Sequence, residues 1–532
     1  MQGFSAQNTA TAELSGDDTK TTGADDSVAV EQSVTAEKPD KVTAPPISSQ
    51  QSETPKDIDL WQRVRDGFQL KVPENELVSR HINWYKKHEA YLNRLQERAT
   101  PYLHFITQEA ERRGIPTELV LLPAVESAYR PFAYSHGRAS GLWQFVPSTG
   151  THFKLKQNWW YDGRRDVVAA TRAAFDYLQS LARRFDGNWE LALAAYNSGA
   201  GTVSQAVTRN RRKGLPTDFW SLQLPRETCD YVPRLLALAK VIGNPDDYGI
   251  SLKPLPNKPY FVSVDIGSQL DLALAADMAS ISTNDLYMLN PGFNRWATAP
   301  DGPHRLNIPV AQAEEFSQRL AALDPGQRIR WKRYKVVSGD TMSTIAQRHG
   351  TTSKLIRQAN KLSNNNIRAG KYLVIPMSTK SLDHYALSAD KRKEKIMNRD
   401  HKGNKIIHVV KAGDNFWDLA RKYQVGHRQL AKWNGMAPKD TLKLGQKLVV
   451  WVDDKTAQAE KPAKLPSIMD VRPPSTRNSL YYRVRNGDSL STIAQRFKVK
   501  VADLKRWNAL EGKYLKPGQN IKLYVDVTAQ TL

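Results

Sequence analysis

Residues 121–150 read LLPAVESAYRPFAYSHGRASGLWQFVPSTG, and Glu126 is the only carboxylate in the wider window 119–161. In a chain that is 25% charged, a single acid in an apolar, glycine- and aromatic-rich setting stands out. Neighbours of that kind desolvate a carboxyl, disfavour its ionised form and raise its pKa, which suits a general acid at neutral pH. The plainer alternative is a glutamate that fixes a helix end.

Outward from this stretch, the apolar spacing from Trp61 to about Pro245 is helical. ELVLLPAVES (118–127) predicts a short apolar helix and DVVAATRAAFDYLQSLARRF (166–185) a long amphipathic one. WELALAAYNSG (189–199) predicts a third, stopped by Gly199 and Gly201. RETCDYVPRLLALAKVIG (226–243) predicts a fourth, which Pro233 either kinks or opens. No alternating strand pattern interrupts them, so residues 58–250 are predicted to be an all-α domain with its core over about 100–245. Residues 1–57 are polar and acidic and are predicted to be a disordered tail.

The C-terminal half repeats itself. YKVVSGDTMSTIAQRHGTTSKLIRQANKL (334–362), IHVVKAGDNFWDLARKYQVGHRQLAKWNGM (407–436) and YRVRNGDSLSTIAQRFKVKVADLKRWNAL (482–510) align without gaps across their Gly-Asp steps. Gly339, Gly413 and Gly487 lie 74 residues apart, and each is followed 21 residues later by Asn360, Asn434 or Asn508. A second glycine, Gly370, Gly445 or Gly518, then precedes a short apolar run. Each unit therefore predicts strand, helix, helix, strand, over 332–377, 405–452 and 480–526. The stretches 378–404 and 453–479 read as flexible linkers. The Gly-Asp steps also have a structural reading, glycine permitting the turn while Asp340/Thr341, Asp414/Asn415 and Asp488/Ser489 cap the first helix. A fourth segment, 258–312, keeps a glycine (Gly267), the two-helix pattern and Asn290, but its spacing is 23 and Ser268 replaces the aspartate.

The three units resemble LysM modules, small domains that recognise N-acetylglucosamine-containing glycans, and 258–312 resembles a divergent copy. In the helical region, Glu126 to Pro131, Ser135, GLWQ (141–144), AYN (195–197) and ET-x-x-YV (227–232) follow the order and spacing of lytic transglycosylases, in the soluble- and goose-type branch of the lysozyme superfamily. With the trailing modules the chain resembles the D-type members of that family. The implied fold is multidomain: an all-α, lysozyme-like catalytic domain followed by small βααβ LysM modules.

Glycoside hydrolases usually need two carboxylates, one as acid and one as nucleophile or water-activating base. The resemblance implies that one suffices here, Glu126 serving first as acid and then as base in a cleavage that consumes no water. It further implies that Tyr231 hydrogen-bonds Glu126, that Tyr196 and Asn197 position sugar at the scissile bond, and that Gln144 and Ser135, with Ser127 nearby, contact the glycan and its acetamido group. Trp143 stands where the wider family has methionine, and an aromatic there is expected to line the groove. Glu227 is expected to support the Tyr231 segment, and Asp162 and Asp166 to cap a helix. In the modules, glycan is implied at the backbone around Gly339, Gly413 and Gly487 and around Gly370, Gly445 and Gly518.

The formal charge is +23; residues 1–60 hold eleven acids against four bases, so the remainder carries about +30. Such a body suits polyanionic partners. No nucleic-acid motif accompanies it; the resemblance implies peptidoglycan strands of GlcNAc and MurNAc as the partner, with association to an envelope membrane as an extension and the monomer as the acting form. Cys229 is the lone cysteine and the histidines lack metal-ligand spacing, so no disulfide, metal or cofactor is expected. No secretory signal is visible at the N-terminus as numbered, whereas the resemblance implies an envelope location in a Gram-negative bacterium. The competing readings are a non-catalytic wall-binding protein and a hydrolytic muramidase. The modular layout predicts that deleting 330–532 weakens binding to sacculi far more than turnover of short soluble glycans.

Overall fold

The computed structural model describes residues 59–453 and, in the last module, 477–526 apart from 485–486, 498, 500, 509–514 and 516–517. The tail expected over 1–57 and most of the linker expected over 453–479 lie outside these residues.

The first part of the described chain is helical: α1 (Leu60–Asp66), α2 (Glu76–Lys87), α3 (Glu89–Ala99), α4 (Leu103–Glu111), α5 (Leu122–Ser127), α6 (Pro147–His152), α7 (Val167–Arg184), α8 (Trp189–Ser198), α9 (Ala200–Arg212) and α10 (Arg226–Gly243). Side-chain oxygens of Asn75, Asp166 and Asn188 accept from backbone N–H groups in the first turns of α2, α7 and α8, satisfying donors that a helix start leaves free. Asp166 is therefore a cap, as its position suggested. Helix α10 lies against α2, α8 and α5, and α7 against α8 and α4, around a core that includes Trp61, Tyr102, Trp143 and Phe175.

Two local expectations change. Gly199 stops α8, but α9 begins at the next residue and runs through Gly201, which therefore terminates nothing. Pro233 lies inside one continuous α10 and does not open its main segment, although it has no N–H to offer the carbonyl of Cys229. Burial of α10 on several sides outweighs the missing bond.

Four two-stranded antiparallel sheets follow: β1 (Phe261–Asp265) with β2 (Arg305–Pro309), β3 (Arg330–Lys335) with β4 (Tyr372–Met377), β5 (Asn404–Val409) with β6 (Lys447–Val452), and β7 (Arg477–Arg483) with β8 (Asn520–Asp526). Two short helices separate the strands of each pair, giving βααβ four times. The asparagine spaced 21 residues after the glycine explains the recurrence. Asn360 donates to the carbonyls of Ile356 and Val374 and accepts from Val374 N–H, stapling the second helix to the second strand. Asn434 and Asn508 make the same three bonds with Leu430 and Val449, and with Leu504 and Lys522. Asn290 repeats them with Leu286 and Asn307, so the divergent segment is built as the others are.

That divergent unit extends past residue 312: a helix over Val310–Ala322 packs on its strands and first helix and buries Phe316. It also shares a core with the helical body, where Trp160 meets Trp296 and Tyr161 meets Phe293.

The stretch 378–404 is not a flexible linker. It carries a helix over Ala389–Met397, and Tyr385 is buried, with its hydroxyl donating to both carboxylate oxygens of Asp271 at 2.9 Å. Asp271 also accepts from Thr379 N–H, and Arg392 lies over the Phe132 ring at 4.3 Å. Its charge-rich composition hides one buried aromatic, Tyr385, and the strap is tied down further by Ala389 N–H on the Asn294 carbonyl and by the pairs Arg295–Asp390 and Lys380–Asp277.

Candidate active site

Glu126 is the penultimate residue of α5. The helix ends there because Ala128 and Tyr129 both take positive φ, 51° and 52°, and the buried Tyr129 hydroxyl donates to the Val120 carbonyl at 2.6 Å. The GLWQ turn sits directly beyond. A Cβ on Gly141 would run into the Arg164 carbonyl, and its φ is 86°, so only glycine serves at that position.

Four hydrogen bonds link the segments singled out in the sequence into a closed circuit. Ser127 Oγ donates to the Leu142 carbonyl at 2.9 Å, tying α5 to the turn. Tyr196 Oη donates to the Trp143 carbonyl at 2.8 Å, tying the turn to α8. Thr228 Oγ1 donates to Asn197 Oδ1 at 2.8 Å, tying α8 to α10. Tyr231 Oη donates to Glu126 Oε1 and closes the circuit back onto α5. The carboxylate is thus held by groups from segments more than a hundred residues apart, each fixed by the next.

A cleft of about 780 Å³ opens over the circuit, and Glu126, Ser135, Gln144, Tyr196, Asn197 and Tyr231 all line it. Burial pushes the Glu126 carboxyl up to about 7; the Tyr231 hydrogen bond opposes this, the nearby Glu227 charge adds to it, and Arg234 opposes it. Burial, reinforced by the Glu126 charge, also holds the Tyr231 and Tyr196 phenols well above their ordinary range, so both stay protonated donors. The Asn197 amide nitrogen has no protein partner among the described residues. The Gln144 amide nitrogen donates to the Gly141 carbonyl at 2.8 Å, which fixes its plane.

Two expectations are corrected. Trp143 does not line the groove: it is fully buried, its indole N–H donates to Thr171 Oγ1 at 3.0 Å, and its ring meets Phe175 edge-on. The left-handed conformation of the next residue, Gln144 (φ 49°), sends the two side chains apart, glutamine to the cleft and tryptophan to the core. Ser127 is buried as well, with its hydroxyl spent on the Pro123 and Leu142 carbonyls, so it shapes the site without facing it. Glu227 stands in the first turn of α10, the helix that carries Tyr231, and also presents an exposed carboxylate to the cleft wall.

Asp162 is buried against Arg164 and Arg165. Burial pushes its pKa up, but the two guanidiniums outweigh that and hold it below the usual carboxylate range. Arg234 and Tyr177 line the cleft and were missed in the sequence. Arg234 was findable, because 227, 231 and 234 follow helical spacing on one face of α10.

In the modules, the residue after Gly-Asp is the helix cap: Thr341, Asn415 and Ser489 accept from the backbone of the following turn. The aspartates do not cap. Asp340 accepts from Tyr334 Oη and Val337 N–H, Asp414 pairs with His408 and accepts from Lys411 N–H, and Asp488 accepts from Tyr482 Oη. They brace the loop internally, which is why they sit one residue outside the helix. Gly339, Gly413 and Gly487 have φ of 86–89°. Gly370, Gly445 and Gly518 donate N–H to the residue after the first strand, Val336, Val410 and Val484, so the two loops of each module lie side by side.

Family models match five stretches of the chain. Residues 104–217 match the transglycosylase SLT domain, 334–376, 408–451 and 482–523 match the LysM domain, and 260–325 match the LysM-like domain of the lytic transglycosylase MltD. Membrane-bound lytic murein transglycosylase D of Escherichia coli (strain K12) is 36% identical over 408 residues, covering 74% of this chain and 86% of the relative. Membrane-bound lytic murein transglycosylase C of Glaesserella parasuis is 30% identical over 158 residues, 27% of this chain and 43% of the relative. A crystal structure of an inactive mutant of the lytic transglycosylase Slt from Pseudomonas aeruginosa aligns at 28% identity with a TM-score of 0.23, over 29% of this chain and 24% of that one.

The helical body, the raised Glu126 carboxyl in its cleft and the LysM repeats define a cell-wall lytic transglycosylase of the SLT class carrying LysM modules. The chain belongs to the family of membrane-bound lytic murein transglycosylase D.

Proposed function

We propose that this enzyme cleaves the β-1,4 bond between N-acetylmuramic acid and N-acetylglucosamine in peptidoglycan with Glu126 as its only proton-transfer residue. Glu126, protonated, gives its proton to the glycosidic oxygen as the bond to C1 breaks. The muramic 2-acetamido group stabilises the developing oxocarbenium ion. The Glu126 carboxylate then takes the proton of the C6 hydroxyl of the same sugar while O6 closes onto C1, leaving a 1,6-anhydro end and consuming no water. The observation that carries this reading is a carboxyl lifted to about 7 by burial on the cleft floor and oriented by Tyr231.

In the same reading, Asn197 offers its free amide N–H to the sugar, and Ser135 and Gln144 bound the acetamido side of the cleft. The paired loops at Gly339/Gly370, Gly413/Gly445 and Gly487/Gly518 take N-acetylglucosamine along the strand, with Asp340, Asp414 and Asp488 bracing them. A location in the Gram-negative envelope, at a membrane, follows from the names of the relatives. Among the described residues no helix is long and apolar enough to cross a bilayer.

Glu227 gives the hydrolytic alternative a specific form, since a second carboxylate on the cleft wall is where a water-activating base would stand. Mass spectrometry of fragments released from purified sacculi separates the two. We expect anhydro-muramic ends, one water lighter than hydrolysed ends, from the wild type and from Glu227→Gln, and no release from Glu126→Gln. Reducing ends that vanish in Glu227→Gln would replace this mechanism with hydrolysis.

A further inference from the structure

The hairpin over 134–140 has two faces. Ser135, His136, Gly137 and Ala139 line the cleft. Tyr134 and Arg138, whose side chains do not line it, point to the second LysM module instead. Arg138 Nε pairs with Asp440 Oδ1 at 2.9 Å, and Tyr134 Oη lies 3.3 Å from both oxygens of the same carboxylate. The hairpin is otherwise held by its own short bonds, from Ser135, Arg138 and Ala139 N–H within it and from Ser140 N–H to the Phe145 carbonyl, and by one guanidinium nitrogen of Arg164, which donates to the Arg138 carbonyl at 2.7 Å. Arg138 itself sits at φ 68°, a conformation that side-chain-bearing residues adopt at some cost.

Asp440 is itself fixed. It accepts from Ala437 N–H at 2.8 Å, and its side chain is 17% exposed. Its loop is the one that leads to Gly445, the second of the two loops assigned to glycan. The strap helix Ala389–Met397 seats this module from the side: a Cβ on Gly435 would stand 3.1 Å from Ile396, and Lys393 Nζ reaches Met436 Sδ.

We infer that the second LysM module backs the cleft wall without lining the cleft, and that Asp440 is a positioning residue which holds the 134–140 hairpin from behind so that Ser135, His136 and Gly137 face the glycan. This rests on the cleft being the glycan site, as proposed above. A purely modular layout would leave turnover of short glycans indifferent to this module; the clamp makes it dependent on Asp440. The carboxylate balances the Arg138 guanidinium and orders the Tyr134 ring, so losing it loosens the cleft wall without touching Glu126.

The test uses the full chain in three variants, Asp440→Asn, Arg138→Gln and the conservative Asp440→Glu, with hydrogen exchange at the Arg138 and Ala139 amides and kinetics on a short soluble GlcNAc–MurNAc oligosaccharide. We expect faster exchange at the hairpin, and KM raised about three- to fivefold, the range a part-exposed ion pair allows, with kcat unchanged, in both Asp440→Asn and Arg138→Gln. Asp440→Glu should restore both readouts. Unaltered hairpin exchange in the first two variants would overturn the clamp. So would a KM change in Asp440→Asn that Arg138→Gln fails to reproduce, since Asp440 would then act only within its own loop through Ala437. If the wild type cleaves no glycan, the catalytic reading fails, while hairpin exchange still decides the clamp.

Discussion

At Glu126 two opposing influences set the working pH. Burial favours the neutral acid and the Tyr231 hydrogen bond favours the carboxylate, with burial the larger. The first step needs the proton in place, so kcat/KM should fall as pH rises through about 7. Tyr231→Phe removes the donor that stabilises the charged form, so the folded-state pKa rises further. The alkaline limb should then move up by about half a unit to one unit while kcat falls, because the base of the second step loses its orientation. A pH–rate profile of the variant checks this, and a limb that stays in place would mean that Tyr231 acts by packing alone. Glu126 was legible in the sequence because its isolation among apolar residues is itself the cause of the raised pKa. Trp143 was not legible, because one left-handed residue beside it decides which of two adjacent side chains meets the cleft.

The βααβ unit depends on a side chain that does the work of backbone. Asn434 is fully buried and makes three bonds to main-chain groups of a helix and a strand. Asn434→Ala would strand the Val449 N–H and two carbonyls, at about 2–4 kcal/mol. We expect residues 405–452 to lose hydrogen-exchange protection while α7 and α10 keep theirs; uniform loss would mean that the module and the helical body unfold together. The asparagine is legible in the sequence as a fixed spacing. Its role is not, because the partner strand lies 14 or 15 residues further on and only the folded turn brings them together.

Across the whole molecule, the strap decides how independent the modules are. Tyr385 puts a hydroxyl on Asp271, the residue whose side chain also caps the first helix of the divergent module. Burial pushes the Asp271 carboxyl above its ordinary range despite its backbone donors, so its partners matter. Tyr385→Ala removes a buried aromatic and a donor together, costing about 3–5 kcal/mol locally. Limited proteolysis should then cut within 386–403 faster than in the wild type; an unchanged digest would mean that the Ala389–Met397 helix holds the strap without its anchor.

The sequence by itself determined most elements: helices over 166–185, 189–199 and 226–243, three repeats at a fixed interval, and one acid placed to be desolvated; the helix expected over 118–127 is instead a 3-10 turn over Thr117–Leu121 followed by α5. Those features are local, written in apolar periodicity and in the spacing of Gly, Asp and Asn. Only the tertiary structure decided that Glu227 faces the cleft, that 378–404 is a strap, and that Asp440 reaches Arg138 across some three hundred residues. Periodicity records which face of an element is buried but not what covers it. Pairings between charged surface residues leave no periodic trace, because each partner taken alone is an ordinary solvated side chain.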